Sequence, residues 1–186
     1  RWTKMDELTL ATIDSPDCRV SEHIAILMAS GDAPEIAIES RAMDGFSEAL
    51  SLLEKGELDM VALPAMMLHG KQVEMLAAGC EVVGARAPRR PNLILVSENK
   101  IGYQPKSAFI LAEHKSVRRQ LRRARRGLRV LGPVAYAAIS EIDGPPSDPL
   151  PLTEWMEDLR QSGEIDGYIT SRAIYDDLEI DGRRHA

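Results

Sequence analysis

The sequence predicts an α/β fold of two lobes, each with a mostly parallel sheet flanked by helices. Apolar, β-branched stretches alternate with amphipathic stretches along the chain, and strand–helix–strand crossovers require parallel strands. A pattern of helix, Gly, acidic residue, apolar residue, Asp and strand occurs twice, at residues 52–59 and 158–166. Turn-forming residues cluster near residues 97–105, so we predict lobe 1 over residues 1–98 and lobe 2 over residues 99–186.

In lobe 1, the first strand is predicted over residues 8–13, where LTLATI is apolar and β-branched. Ser15 and Pro16 are typical of a helix N-cap and a first helical position, so a helix is predicted from there to about Ala29. The other predicted elements of lobe 1 are strands over residues 35–40, 60–65, 81–86 and 92–97 and a helix over residues 46–54.

In lobe 2, Ser116 is predicted to cap a helix that continues to about Arg126. The other predicted elements are helices over residues 155–161 and 171–178, strands over residues 108–112, 128–131 and 166–170, and a loop over residues 143–151.

Composition is that of an ordinary globular protein, because 44% of the 186 residues are hydrophobic and the formal net charge is −6. No apolar run approaches the ~20 residues of a membrane span, and the N-terminal residues lack the apolar core of a signal peptide. We therefore expect a cytoplasmic protein that does not contact a membrane. Cys18 and Cys80 are then expected to be reduced, with a disulfide between them as the alternative, and their surroundings do not favour a metal site.

Standard catalytic motifs such as the phosphate-binding loop, GxGxxG, GxSxG and HExxH are absent from the sequence. His69 follows a predicted strand, where ligands often bind, but a catalytic role for it is the weaker interpretation. Asp14 and Asp17 flank the start of the first predicted helix, where carboxylates complement the helix dipole.

A basic segment stands out in this acidic chain. Residues 115–129 (KSVRRQLRRARRGLR) hold eight basic residues and no acid, around an apolar stripe of Val117, Leu121, Ala124 and Leu128. One interpretation is a solvated face paired with the acidic residues 141–181, where twelve Asp and Glu accompany two Arg. Another is an anion site formed by the helix start and its Arg side chains. Nucleic acid is less favoured, because the chain is acidic and no aromatic residues interleave with the basic ones.

Short segments along the chain occur in the order of one enzyme family. Residues 11–16 (ATIDSP) look like that family's first strand and its A-T-R-x-S-P turn, and residues 48–59 look like the helix before its catalytic strand. Residues 116–120 (SVRRQ) resemble S-[SL]-R-R-Q, and residues 159–169 resemble K-L-x-x-G-x-[FY]-D-A-I-[IV]-L. The family that the series resembles is hydroxymethylbilane synthase (porphobilinogen deaminase). The resemblance covers about residues 8–180 and implies a periplasmic-binding-protein-like fold of type II.

The catalytic segment departs from the family pattern H-S-x-K-D-x-P. In the family its Asp assists proton transfer at each pyrrole condensation, whereas Met67 stands at the Asp position here and Met66 at the Lys position. A thioether accepts no proton, so the resemblance implies no catalytic residue in this chain. The sequence also stops before the family's third domain, whose Cys holds the dipyrromethane primer, so no cofactor is expected.

Four residues at ligand-binding positions of the family are retained, namely Ser15, Ser116, Arg118 and Arg119. In the family the last three positions hold carboxylates of the primer. The resemblance therefore implies a non-catalytic homologue that binds a small carboxylate-rich ligand, similar to a tetrapyrrole, in a cleft between the lobes.

Two alternatives stay open. One is a divergent transferase that polymerises porphobilinogen with the help of a missing domain or partner. The other is a protein-interaction or regulatory module that uses the basic helix 116–126, for example in a homo-oligomer where the acidic residues 141–181 of a second copy meet that helix.

Overall fold

The structure, a computed structural model, describes residues 7–31, 37–86 and 92–186. The chain divides into two compact units, Arg1–Ala87 and Pro88–Ala186. The boundary predicted at residue 98 is placed too late, because the strand Leu93–Ser97 pairs only with strands of the second unit among the described residues. Each unit is described separately below.

The first unit contains a three-stranded parallel sheet of order β2-β1-β3. Its described elements are β1 (Glu7–Ile13), α1 (Val20–Ala29), β2 (Ala37–Met43), α2 (Phe46–Glu54), β3 (Met60–Ala62) and α3 (Gln72–Ala77), with a 3-10 turn at Ala65–Leu68. The central strand β1 carries three of the six buried hydrophobic residues described in this unit, namely Leu10, Ala11 and Ile13.

Three predictions for the first unit are wrong in detail. The first helix begins at Val20 and not after Ser15, because residues 15–18 form a separate turn closed by backbone bonds between Ser15 and Cys18. Residues 81–86 form no strand although Val82 and Val83 favour one, because both side chains are exposed and no strand pairs with them. The predicted strand at 35–40 lies at Ala37–Met43, and its first two residues are outside the described ranges.

The second unit contains a five-stranded mixed sheet of order β6-β5-β7-β4-β8. Its elements are β4 (Leu93–Ser97), β5 (Phe109–Leu111), α4 (Lys115–Ala124), β6 (Arg129–Leu131), α5 (Pro133–Ile139), α6 (Pro149–Gln161), β7 (Gly167–Ser171), α7 (Arg172–Asp177) and β8 (Arg184–His185). Strands β5, β6 and β7 run parallel, while β4 runs antiparallel to both β7 and β8.

Helices α4 and α6 cover opposite faces of this sheet. Leu121 of α4 packs in one core cluster with Leu95, Ile110 and Val130. The strand neighbours of those residues point the other way and pack with α6 in a second cluster, whose members are Ile94, Val96, Leu111, Tyr136, Leu152, Met156, Leu159, Ile165 and Tyr168. Right-handed crossovers explain why the two helices lie on opposite faces. The crossover from β5 to β6 through α4 runs towards the edge of the sheet, whereas the crossover from β6 to β7 through α5 and α6 runs in the opposite direction.

The helix predicted at 155–161 is longer than expected and begins at Pro149, so the predicted loop 143–151 ends early. Pro149 and Pro151 were interpreted as loop residues, but the first turn of a helix tolerates proline because its N–H groups have no partner within the helix. Helix α5, which begins at Pro133, has no counterpart among the predicted helices.

The repeated sequence pattern forms the same structure in both units. Gly56 and Gly163 end the helices with φ values of 71° and 79°. Asp59 then accepts a hydrogen bond from the Thr9 backbone N–H at Oδ2 (2.8 Å), and Asp166 accepts one from the Phe109 N–H at Oδ2 (2.7 Å). Each Asp therefore ties the start of one parallel strand to its neighbour.

The predicted α/β class, with mostly parallel sheets flanked by helices, is confirmed by these elements. Cys18 and Cys80 are both free thiols, as expected. Among the described residues, no helix has the length and apolar character needed to cross a bilayer.

Candidate functional site

The carboxyl ends of β5, β6 and β7 meet at one edge of the second unit's sheet, because these strands are parallel. Helices α4, α5 and α7 begin directly beyond this edge, after His114, Gly132 and Ser171. Ligands in open α/β sheets commonly bind at such an edge. The site that the sequence predicted around Arg118 lies here.

Arg118 is held against the ends of β5 and β6. Its Nη1 donates to the carbonyl oxygens of Ala112 (2.8 Å) and Glu113. A Cβ atom on residue 132 would lie 3.1 Å from this Nη1, so Gly132 leaves the space that the guanidinium occupies. The Nε and Nη2 groups of Arg118 make no hydrogen bond with described residues, and the side chain is half-buried. The guanidinium is therefore fixed in place with donors left for an anion.

Ser116 and Arg119 lie on the same helix but are not fixed in this way. Ser116 is the exposed second residue of α4, and the N-cap position that it was predicted to hold belongs to His114. Arg119 is exposed and makes no hydrogen bond or ion pair with the described residues. Successive helical residues point about 100° apart, so the side chains of Arg118 and Arg119 diverge at their base.

Ser15 belongs to the first unit and its predicted role as N-cap of the first helix is wrong. Its Oγ accepts a hydrogen bond from the Cys18 N–H (3.1 Å), which stabilises the turn before α1. The capping role belongs to Asp14, whose carboxylate accepts hydrogen bonds from the Ser21 N–H (2.8 Å) and hydroxyl (2.5 Å). The interpretation of Asp14 as a helix-start carboxylate is thereby confirmed.

The segment that follows β3 carries Met66 and Met67, the two methionines that the sequence resemblance aligned with catalytic positions. Met66 is 79% exposed in the 3-10 turn, and Met67 is partly buried beside it. His69 is exposed at the end of this turn, and its ring makes no hydrogen bond with the described residues.

One interpretation of the sequence expected the basic segment to pair with the acidic residues 141–181. The described residues show no such pairing. Three of its Arg side chains donate to backbone carbonyls of their own unit: Arg118 as above, Arg122 to Val130 (2.6 Å) and Arg125 to Gln104 (3.0 Å). No Asp or Glu among the described residues forms an ion pair with the segment. The acidic helix α6 lies on the other face of the sheet.

A buried charge network in the second unit was missed by the sequence analysis. Glu157 is 7% exposed and accepts hydrogen bonds from Arg160 (2.9 and 2.7 Å), Gln161 (3.1 Å) and the Tyr168 hydroxyl (2.8 Å). Burial alone would raise the pKa of Glu157, but these hydrogen bonds outweigh it and hold the pKa below its ordinary value. Burial and the adjacent carboxylate raise the pKa of Tyr168. In the sequence, this network could have been recognised from Thr153, Glu157 and Arg160, which lie at helical spacing on an inward face.

A small polar cavity of about 250 Å³ lies at the opposite edge of the same sheet. Arg160 and the buried Gln104 line it, and the Gln104 amide nitrogen donates to Ser97 Oγ (2.9 Å) and to the Asn99 carbonyl (2.5 Å). The cavity is thus separated from Arg118 by the length of the strands. In the described ranges, no group of three or more His, Cys, Asp or Glu side chains is arranged to hold a metal ion.

No protein-family model and no curated protein sequence matches the chain. Solved structures similar to it include the periplasmic aliphatic sulphonate binding protein of Escherichia coli, at 14% identity and a TM-score of 0.44, with 97% of this chain and 56% of that one covered. They also include a methionine binding protein (10% identity, TM-score 0.48, 95% and 75% covered) and a nutrient binding protein of Burkholderia cenocepacia bound to methionine (12% identity, TM-score 0.43, 93% and 75% covered). The chain thus spans between 56% and 75% of the length of these three binding proteins.

Proposed function

We propose that the chain binds a small, carboxylate-rich ligand at the edge of the second unit's sheet, with Arg118 as the anchoring residue. The observation that carries the proposal is the position of the Arg118 guanidinium, which two backbone carbonyls hold while Nε and Nη2 stay unengaged. A guanidinium presents paired donors that match the two oxygens of a carboxylate. Because this guanidinium is already held in place, less conformational entropy is lost when the ligand binds.

The surroundings of Arg118 support an anion at this position. Helix α4 begins beside it, and the N-terminus of a ten-residue helix contributes a partial positive charge and free N–H groups. Arg119 and the Ser116 hydroxyl are exposed on the first turns of the same helix. We assign them as further contacts for a ligand with several carboxylates.

The finer proposal is that the chain is a degenerate homologue of hydroxymethylbilane synthase, so that its ligand is a tetrapyrrole and no condensation takes place on it. The thioethers of Met66 and Met67 support this, because neither can take the proton that each condensation releases. Under this proposal the chain retains ligand binding but lacks the family's condensation chemistry.

The test is a fluorescence titration with uroporphyrin, coproporphyrin and mesoporphyrin, which carry successively fewer carboxylates. We expect affinity to fall in that order. The Arg118→Ala variant should bind uroporphyrin about 10-fold or more weakly, because a hydrogen bond to a charged group contributes roughly 1.5–3 kcal/mol. Arg123→Ala, an exposed change on the same helix, is the matched control and should bind like the wild type.

Two further measurements separate the parts of the proposal. Arg118→Lys keeps the charge and should recover part of the affinity, whereas equal binding by Arg118→Ala and Arg123→Ala would overturn the role of Arg118. Intact-protein mass spectrometry after incubation with porphobilinogen should show an unchanged mass. A ladder of pyrrole additions would instead support the divergent transferase.

A further inference from the structure

The two faces of the second unit's sheet carry opposite charge. On one face, Lys115, Arg119 and Arg123 of α4 are exposed at four-residue spacing and form a stripe about 12 Å long. On the other face, Glu154 and Asp158 are exposed at the same spacing on α6. We call these surfaces the basic face and the acidic face.

The charges of both faces are unpaired within the described residues. The ion pairs of the second unit join Arg160 to Glu157 and Glu98, and Arg184 to Asp176, so none includes a residue of either face. The α5–α6 connection carries two further exposed acidic residues, Glu141 and Asp143. Like charges at four-residue spacing on one helix repel one another, and an oppositely charged surface would remove that repulsion.

The second unit also exposes apolar side chains, with Tyr103 next to a segment that packs against α4 and Ile139 at the end of α5. Tyr103, which is 79% exposed, follows Ile101, and Ile101 packs in the same core cluster as Val117 and Leu121 of α4. Ile139, at 68% exposed, precedes the acidic Glu141 and Asp143. Exposed apolar groups together with complementary charges are typical of protein–protein interfaces.

We propose that the basic face of one copy of this chain binds the acidic face of a second copy. The chain itself provides a partner of matching charge and similar helix geometry, whereas the basic face offers no series of aromatic side chains on which nucleic acid bases could stack. Because the two faces are different surfaces, the copies associate head-to-tail. Such an association forms either a closed ring or an open filament. Arg118 lies at the sheet edge and takes no part, whereas Arg119 is shared between the basic face and the proposed ligand site.

The test is sedimentation velocity of the whole protein in ~0.1 M and ~1 M salt, between which the Debye length falls from ~10 Å to ~3 Å. We expect association that depends on protein concentration in the lower salt and a single monomeric species in the higher salt. Sedimentation of a monomer alone in both would overturn the proposal.

Neutral variants then locate the two surfaces. Arg119→Gln with Arg123→Gln removes charge from the basic face, and Glu154→Gln with Asp158→Asn removes it from the acidic face. Each variant alone should self-associate about 10-fold more weakly, since exposed pairs contribute little individually and two are lost. An equimolar mixture should form a dimer, because each variant retains the face that the other lacks.

Two controls complete the experiment. Lys55→Gln with Arg86→Gln removes the same charge from exposed residues of the first unit and should leave association unchanged. Charge exchange, with Arg119→Glu and Arg123→Glu combined with Glu154→Lys and Asp158→Lys, should restore association. Loss of association on nuclease treatment, or loss in the basic-face variant only, would instead identify an outside acidic partner and overturn the proposal.

Discussion

At the scale of single residues, Glu157 shows how a buried carboxylate makes stability depend on pH. Its pKa is lower in the folded chain than in the unfolded one, because hydrogen bonds from Arg160, Tyr168 and Gln161 outweigh the effect of burial. A lowered folded-state pKa stabilises the fold at pH values above the unfolded pKa of about 4.3, and this contribution is lost as the pH falls through the folded pKa.

We therefore expect Glu157→Gln to lower the free energy of unfolding at pH 7 by about 3 kcal/mol, because it leaves the mostly buried Arg160 side chain with only the exposed Glu98 carboxylate, 3.9 Å away, as a charged partner. The difference from the wild type should shrink as the pH is lowered below about 4. Urea denaturation at several pH values measures both. Glu154→Gln, an exposed change one turn earlier, should stay within about 0.5 kcal/mol of the wild type at every pH. A constant difference between Glu157→Gln and wild type would contradict this account.

At the scale of elements, Asp59 and Asp166 of the repeated pattern each bond to the neighbouring parallel strand. Each does so just before the backbone hydrogen bonds between the two strands begin. Asp166 makes two contacts with Phe109, one through its carboxylate (2.7 Å) and one through its own N–H (2.9 Å). Asp59 makes the equivalent pair with Thr9 (2.8 and 3.1 Å). These bonds explain why the same residue type recurs, and they are structural rather than catalytic.

Replacing Asp166 with Ala should lower the free energy of unfolding by about 1–3 kcal/mol, because the Phe109 N–H loses its acceptor. Asp166→Asn keeps an acceptor oxygen and should recover part of the loss. Thermal and chemical denaturation measure the effect, with Asp143→Ala as the control because that residue is exposed in a loop. Equal stability of the two Ala variants would show that the repeat does not stabilise the strands.

Regular patterns were predictable from the sequence, whereas the points where elements begin were less so. The repeat and the order of most strands and helices follow from hydrophobic periodicity and glycine stops. The predicted helix starts at Ser15 and Ser116 were wrong, because a Ser before a helix caps it only when its Oγ reaches a free N–H. That condition depends on the path of the chain, which here brings Asp14 to Ser21 instead.

The candidate site was predictable only in part. A run of arginines after a short strand indicated the segment, but nothing in the sequence said which guanidinium would be held at the sheet edge. Arg118 is distinguished by two carbonyls at the end of β5 and by the space beside Gly132, and both are tertiary features. The Glu157 network escaped notice because a charged residue on a helix is ordinarily assigned to its exposed face.

At the scale of the whole molecule, the buried apolar residues are unevenly divided. Of the 23 buried hydrophobic residues among the described ones, six belong to the first unit and seventeen to the second. Helix α1 contributes Val20 alone to the buried set, while Ile26 is 64% exposed. Local opening requires less free energy where less apolar surface is buried.

We therefore expect amide hydrogen exchange to be faster in the first unit than in the second. The comparison is between the central strands β1, β5 and β7, each of which pairs with a strand on both sides. Peptide-level exchange measured by mass spectrometry should show greater protection for β5 and β7. Equal protection in the two sheets would contradict a difference in local stability.

The division of charge across the second unit's sheet gives that unit an electric dipole perpendicular to its strands. A chain with a net charge of −6 would ordinarily pass through a negatively charged chromatography resin. This one should be retained at low ionic strength, held through α4 with α6 turned outward. Any extended anionic surface would orient the molecule in the same way, so that its acidic side becomes the side presented to solution.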